Sequence, residues 1–174
     1  MLTLKCTRKV QEYLGLAKSD LSETPSGDSV LGAWYVNQFT LDRRKTFIFM
    51  SERTYLSFIL LGARKSNSSK ALFPEMCLAA IVQLLRTMDL PLPLIGKVIE
   101  DNFESRYART DSKKVLGNFN DLVFLYRHFV MAGGGFARCN LSDIILRINR
   151  TPQRNLGWMN STEATLEILS AHAA

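Results

Sequence analysis

The sequence predicts an α+β fold: an N-terminal antiparallel β-hairpin or small sheet packed with about five C-terminal helices. Three observations predict it. Aromatic and β-branched runs in the N-terminal third are broken by one compact polar turn. From Ala71 onward, apolar residues recur at three- and four-residue spacing. The 174 residues are 47% hydrophobic and 22% charged, a balance that excludes intrinsic disorder, collagen-like repeats and a disulfide miniprotein. That length suits a single domain over residues 1–174 with one sizeable core.

Leu2–Cys6 sets Leu2, Leu4 and Cys6 against Thr3 and Lys5, the alternation of a half-buried strand. Thr7 is placed to cap a short helix through Val10, Tyr13 and Leu14 that ends near Gly15. Lys18–Ser29 has the Ser, Asp, Pro and Gly content of a loop. Leu31–Leu41 and Lys45–Met50 read as two strands of a hairpin around Asp42-Arg43-Arg44. Tyr55–Leu61 is apolar and fits strand or helix. Arg64–Lys70 is a polar, basic loop.

Met76, Leu78, Ile81, Val82, Leu85 and Met88 mark a well-buried helix that Leu90-Pro91-Leu92-Pro93 breaks. Leu94, Ile95, Val98, Ile99 and Phe103 form a second helical stripe, and Ser105–Lys114 a charged connector. Phe119, Leu122, Val123, Tyr126 and Val130 form a third, opened by Asn120 and Asp121 and stopped at Gly133-Gly134-Gly135. Ser142 caps a fourth helix through Ile144, Ile145 and Ile148, and Thr162 a fifth with Leu166 and Leu169.

Lys and Arg number 22 against 16 Asp and Glu, a net charge of +6 that favours a polyanionic partner, nucleic acid or an acidic protein. The candidate binding residues are Arg43, Arg44, Lys45, Arg64, Lys65, Arg109, Lys113, Lys114, Arg147 and Arg150. Tyr35, Tyr107 and Trp158 are candidates for stacking on unpaired bases. Dispersed solubilising charge is the alternative. The sequence leaves the oligomeric state open.

Candidate catalytic groups are few. His128 and Asp121 lie two helical turns apart, with Arg127 beside them: a base, a carboxylate and a cation for a ribonuclease-like or nucleotide-processing reaction. Cys6 and Cys139 have the basic neighbours Arg8 and Arg138, which favour a thiolate, whereas Cys77 reads as core. Cysteine and histidine spacing matches no metal set, so no metal and no cofactor is expected. The triglycine run follows a helix rather than opening one, and reads as a helix stop. No leader or membrane span is expected, which places the protein in the cytoplasm.

Leu31-Gly32-Ala33-Trp34-Tyr35-Val36-Asn37, then Asp42-Arg43-Arg44-Lys45, Glu52-Arg53-Thr54 and Lys113-Lys114-Val115-Leu116-Gly117-Asn118-Phe119-Asn120-Asp121, form a recognisable series. It resembles an uncharacterised bacterial domain family with LG-x-W, R-R-K, N-E-x-T and R-S-V-L-G-S-M-N-D motifs. Lys113-Lys114 departs from that family's Arg-Ser, and Ser51 from its Asn. The resemblance picks out Trp34, Asn37, Arg44, Thr54, Asn120 and Asp121. It implies Trp34 in the core and Thr54 capping a helix, with Arg44, Asn120 and Asp121 as one possible shared site. Some members occur in plasmid or mobile-element settings, which implies a toxin–antitoxin, phage-defence or counter-defence role. The expectation is therefore a non-catalytic binding protein of such a system, with a small toxin-like ribonuclease or nucleotide-processing enzyme as the alternative.

Overall fold

A computed structural model describes residues 1–23, 29–62 and 69–173. Six strands make one mixed sheet: β1 (Leu2–Cys6), β2 (Leu21–Ser22), β3 (Trp34–Leu41), β4 (Arg44–Ser51), β5 (Ser57–Leu61) and β6 (Ser105–Arg109). Their order is β2-β6-β1-β3-β4-β5. The hairpin is antiparallel, with Leu41 paired to Arg44, and β5 continues it antiparallel to β4. The other half is parallel: β1 lies between β3 and β6, and β2 pairs with β6. The sheet is thus mixed rather than a small antiparallel hairpin, because long connections return the chain beside β1 in the same direction.

The helices are α1 (Arg8–Leu14), α2 (Ser69–Thr87), α3 (Leu92–Asp101), α4 (Lys113–Ala132), α5 (Leu141–Asn149) and α6 (Ser161–Ala173). The segment expected to be a charged connector contains β6. Its five residues, Ser-Arg-Tyr-Ala-Arg, carry little apolar signal, and pairing to β1 decides their conformation. Most of the Arg64–Lys70 segment, including Arg64 and Lys65, lies outside the described residues.

Side-chain alternation divides the core into two faces. On one, Leu2, Leu4, Cys6, Trp34, Val36, Phe47, Phe49 and Phe58 pack with α1, α2 and α3. Phe49 and Phe58 stack with ring centroids 4.8 Å apart. On the other, Tyr35, Leu41, Ile48, Met50 and Ile59 meet Val115, Phe119, Leu122, Tyr126 and Val130 of α4 and Ile148 of α5. Helix α4 packs over β3 and α5 over β5. On this face β1 and β6 present the polar Thr3, Lys5 and Arg106, with the small Ala108 opposite Lys5.

Several caps differ from expectation by a few residues. Ser112, not Asn120, caps α4, accepting from the Val115 N–H. Asn140, not Ser142, caps α5. Asn160, not Thr162, caps α6, with Glu163 bonding back to the Asn160 N–H. Thr54 sits fully buried in the β4–β5 turn, bonded to Ser51 rather than capping a helix. Asn149 performs a related task at the sheet edge: its amide accepts from the Ser57 N–H and donates to the Ser57 carbonyl.

Candidate functional site

Strand β1 is central, so all five of its residues are buried, Lys5 included. The Lys5 side chain is 2% exposed, and its ammonium lies 2.9 Å from both Glu52 Oε1 and Asp111 Oδ2. It also sits 5.1 Å from the centre of the Tyr35 ring. The Tyr35 hydroxyl donates to Asp111 Oδ1. Burial pushes the Asp111 carboxyl upward, but hydrogen bonds from Tyr35 and Lys5, with the Lys5 charge, outweigh it and hold the group below its ordinary value. Burial, then the Asp111 hydrogen bond and charge, push the Tyr35 phenol well above its own. A carboxylate at Asp111 and a neutral phenol at Tyr35 therefore coexist around neutral pH.

These groups come from β1, β3, the β4–β5 turn and the β6–α4 connection, so one charged cluster ties four segments together. Asp111 also walls a recess of about 310 Å³ with Lys18, Ser22, Glu23, Ala108 and Arg109, beyond the carboxyl ends of the parallel strands. Sequence reading missed this cluster because Lys5, in an alternating strand, reads as a solvent-facing residue. The available signal was that Glu52 opens one motif phrase and Asp111 immediately precedes the residues leading into another.

The hairpin turn builds a second assembly. Asp42 and Arg43 both have positive φ, 46° and 60°, the type I′ geometry that matches the strand twist. The Asp42 carboxylate accepts the Phe136 N–H at 2.9 Å. Gly135 makes that docking possible. Its φ is +80°, and a Cβ there would lie 2.6 Å from Asp42 Oδ2. The triglycine run is therefore the helix stop expected of it, with a second task as a saddle for the hairpin turn. Arg127 donates to the Thr40 carbonyl at 3.4 Å, tying α4 to the same hairpin.

Arg44 pairs with Leu41 and shares the face of α4 and α5. Lys45 turns to the opposite face, over the Tyr13 ring at 4.9 Å. Arg138 and Arg147 line a recess of about 420 Å³ with Phe129, Asn140 and Asp143. Arg147 and Arg150 line an adjoining one of about 530 Å³, which shares Asp143 and Arg147. The Arg147 guanidinium lies on the Phe129 ring, 4.4 Å from its centre. Arg138, Arg147 and Arg150 thus line two adjoining recesses along α5, and the docked hairpin turn carries Arg43 and Arg44, both exposed.

A family described as a domain of unknown function, DUF6933, matches residues 3–164. The chain belongs to this family. No curated protein matches the chain. Within this DUF6933 fold the remaining expected residues separate. Arg109 lines the recess beside Asp111, and Lys113 and Lys114 occupy the exposed first turn of α4. That turn is roughly 30 Å of helix from the docked hairpin, taking about 1.5 Å per residue. Asn120 and Asp121 are exposed in the first half of α4, whereas the hairpin that carries Arg44 is tied to Arg127 in the helix's second half and to Phe136 beyond its end. Trp34 is fully buried, as expected, and Asn37 accepts from the Thr7 hydroxyl at 3.0 Å.

Asp121 and His128 are both exposed, and His128 faces Phe124 with ring centroids 6.5 Å apart. Seven residues separate them, about 10 Å along the axis, too far for direct proton transfer. Cys6 is no reactive thiol: burial raises it far above the ordinary range, and Cys77 likewise. Tyr35 and Tyr107 are buried and give no stacking surface, whereas Trp158 is 69% exposed. Among the described residues no helix is long and apolar enough to cross a membrane.

Proposed function

We propose that this protein binds nucleic acid, without catalysing a reaction on it, through the basic track along α5 and the hairpin turn. One observation supports the reading: Arg138, Arg147 and Arg150 line two adjoining recesses, and the Asp42 contact with Phe136 docks the turn that carries Arg43 and Arg44 onto the segment leading to Arg138. Phosphate contacts need several such groups on one surface. Asp42 is engaged by the Phe136 N–H, and Asp143 is the single carboxylate lining the two recesses among three arginines. The reading is of a cytoplasmic binding protein in a bacterial mobile-element or defence-related system. An enzyme draws less support, because Asp121 and His128 do not meet.

The test is oligonucleotide affinity across a salt series for the intact protein and for Arg147→Glu/Arg150→Glu. About four phosphate contacts give a log–log salt slope near −3 on single strands. The double variant should weaken binding at least tenfold and lower that slope by about 1.4, with an unchanged circular dichroism spectrum. Absent binding at low salt, or unchanged affinity and slope in the variant, would overturn the reading. Tighter binding to polyglutamate than to oligonucleotide would move it to an acidic protein partner.

A further inference from the structure

We infer that the track prefers single strands, and that Trp158 is the platform on which an unpaired base stacks. This rests on the nucleic-acid reading above. Trp158 is 69% exposed and has φ +71°. A left-handed backbone is unfavourable for a bulky L-residue and needs surrounding structure to hold it. That structure is present. Residues 152–160 form a loop closed by the Pro152–Asn160 bridge. Gln153 N–H donates to the Met159 carbonyl and Trp158 N–H to the Gln153 carbonyl, each at 3.0 Å. Asn155 ties the loop to Asn118 of α4 at 3.1 Å, and Asn160 caps α6.

The loop thus fixes an indole in solvent, where a core role would bury it. Its neighbours in the chain select the partner. Arg150 and Arg154 are exposed, and Arg150 with Thr151 and Pro152 lines the end of the track. A partner that matches this setting carries dense negative charge and a flat apolar face together. An unpaired nucleotide has both, and stacking on an aromatic side chain is indifferent to which base it is. A duplex keeps its base faces stacked inside and offers the track its phosphates alone.

The chain supplies its own reporter, since Trp34 is fully buried and Trp158 exposed, and these are its two tryptophans. The probes are a ten-nucleotide oligothymidine and a duplex of equal length, titrated by tryptophan fluorescence and by anisotropy of a labelled strand. Oligothymidine should quench the emission and bind about tenfold more tightly than duplex. Read by anisotropy, because either substitution removes the reporting indole, Trp158→Ala should abolish that preference while duplex affinity holds, and Trp158→Phe should keep most of it. Equal affinity for strand and duplex, unmoved by Trp158→Ala, would overturn the stacking inference and leave the phosphate reading standing. Failure of both probes to bind at low salt would overturn both.

Discussion

Consider replacing the two carboxylates around Lys5 by amides, Glu52→Gln/Asp111→Asn, and comparing the result with Lys5→Met. The double variant leaves a positive charge at 2% exposure with no counter-charge. Breaking a buried ion pair from one side costs about 3–5 kcal/mol, less the ~1 kcal/mol that the amide oxygens return as hydrogen-bond acceptors. The expected loss is therefore about 2–4 kcal/mol. Lys5→Met removes the buried charge instead and keeps the packing of its stem. The carboxylates it abandons are 31% and 40% exposed and regain water, so the expected loss is about 1 kcal/mol. With a urea slope of about 2 kcal/mol per molar, the midpoints should differ by roughly 1 M. Urea unfolding followed by circular dichroism at pH 7 measures both.

The same cluster sets an acid limb. Asp111 titrates below its ordinary value in the folded state, so its stabilisation is complete above the unfolded carboxylate range near ~4 and is lost as pH falls through the folded value. That part of the acid loss should be missing in Asp111→Asn. A Lys5→Met protein as destabilised as the double amide variant would refute the reasoning, because the burial asymmetry would then not govern the energetics.

Two further outcomes follow from the frame. Asn149→Ala leaves both outward backbone groups of buried Ser57 without partners, at about 1–3 kcal/mol each, and should lower stability by roughly 2–6 kcal/mol in the same urea assay. Gly135→Ala places a methyl against Asp42 at a left-handed φ. It should lower stability by about 1–2 kcal/mol, and by loosening the hairpin turn weaken oligonucleotide binding with it.

Much of the local structure follows from the order of residues alone. The hairpin at Asp42-Arg43 is dictated by two β-prone runs around a polar break, and α4 by a stripe from Val115 to Val130. Those signals are periodic and short-range, so neighbouring residues carry them. The triglycine stop is local too, since only a residue without a Cβ adopts those angles freely. Strand β6 is different: an isolated Ser-Arg-Tyr-Ala-Arg has no reason to extend, and becomes a strand because β1 and β2 flank it. The cap positions shifted because several polar residues near each helix start compete, and packing chooses among them.

The sites divide along the same line. Clusters of arginine and lysine are visible in sequence, but which of them share a surface is a matter of topology. Arg44 and Lys45 are adjacent in the chain, yet face opposite sides of the sheet because strand side chains alternate. The turn that carries Arg43 meets the segment after α4, far from it in the chain, because Asp42 reaches Phe136 across Gly135. Lys5 is the sharpest case. Alternation alone marks it for solvent, and only its place in a central strand, between Glu52 and Asp111, makes it a buried charge. The sequence by itself determined the hairpin, the main helices, overall charge and the likeness to an uncharacterised domain family. Tertiary structure decided which charges are buried, which converge and which aromatic ring stands free, because those properties depend on residues that meet only when the sheet closes.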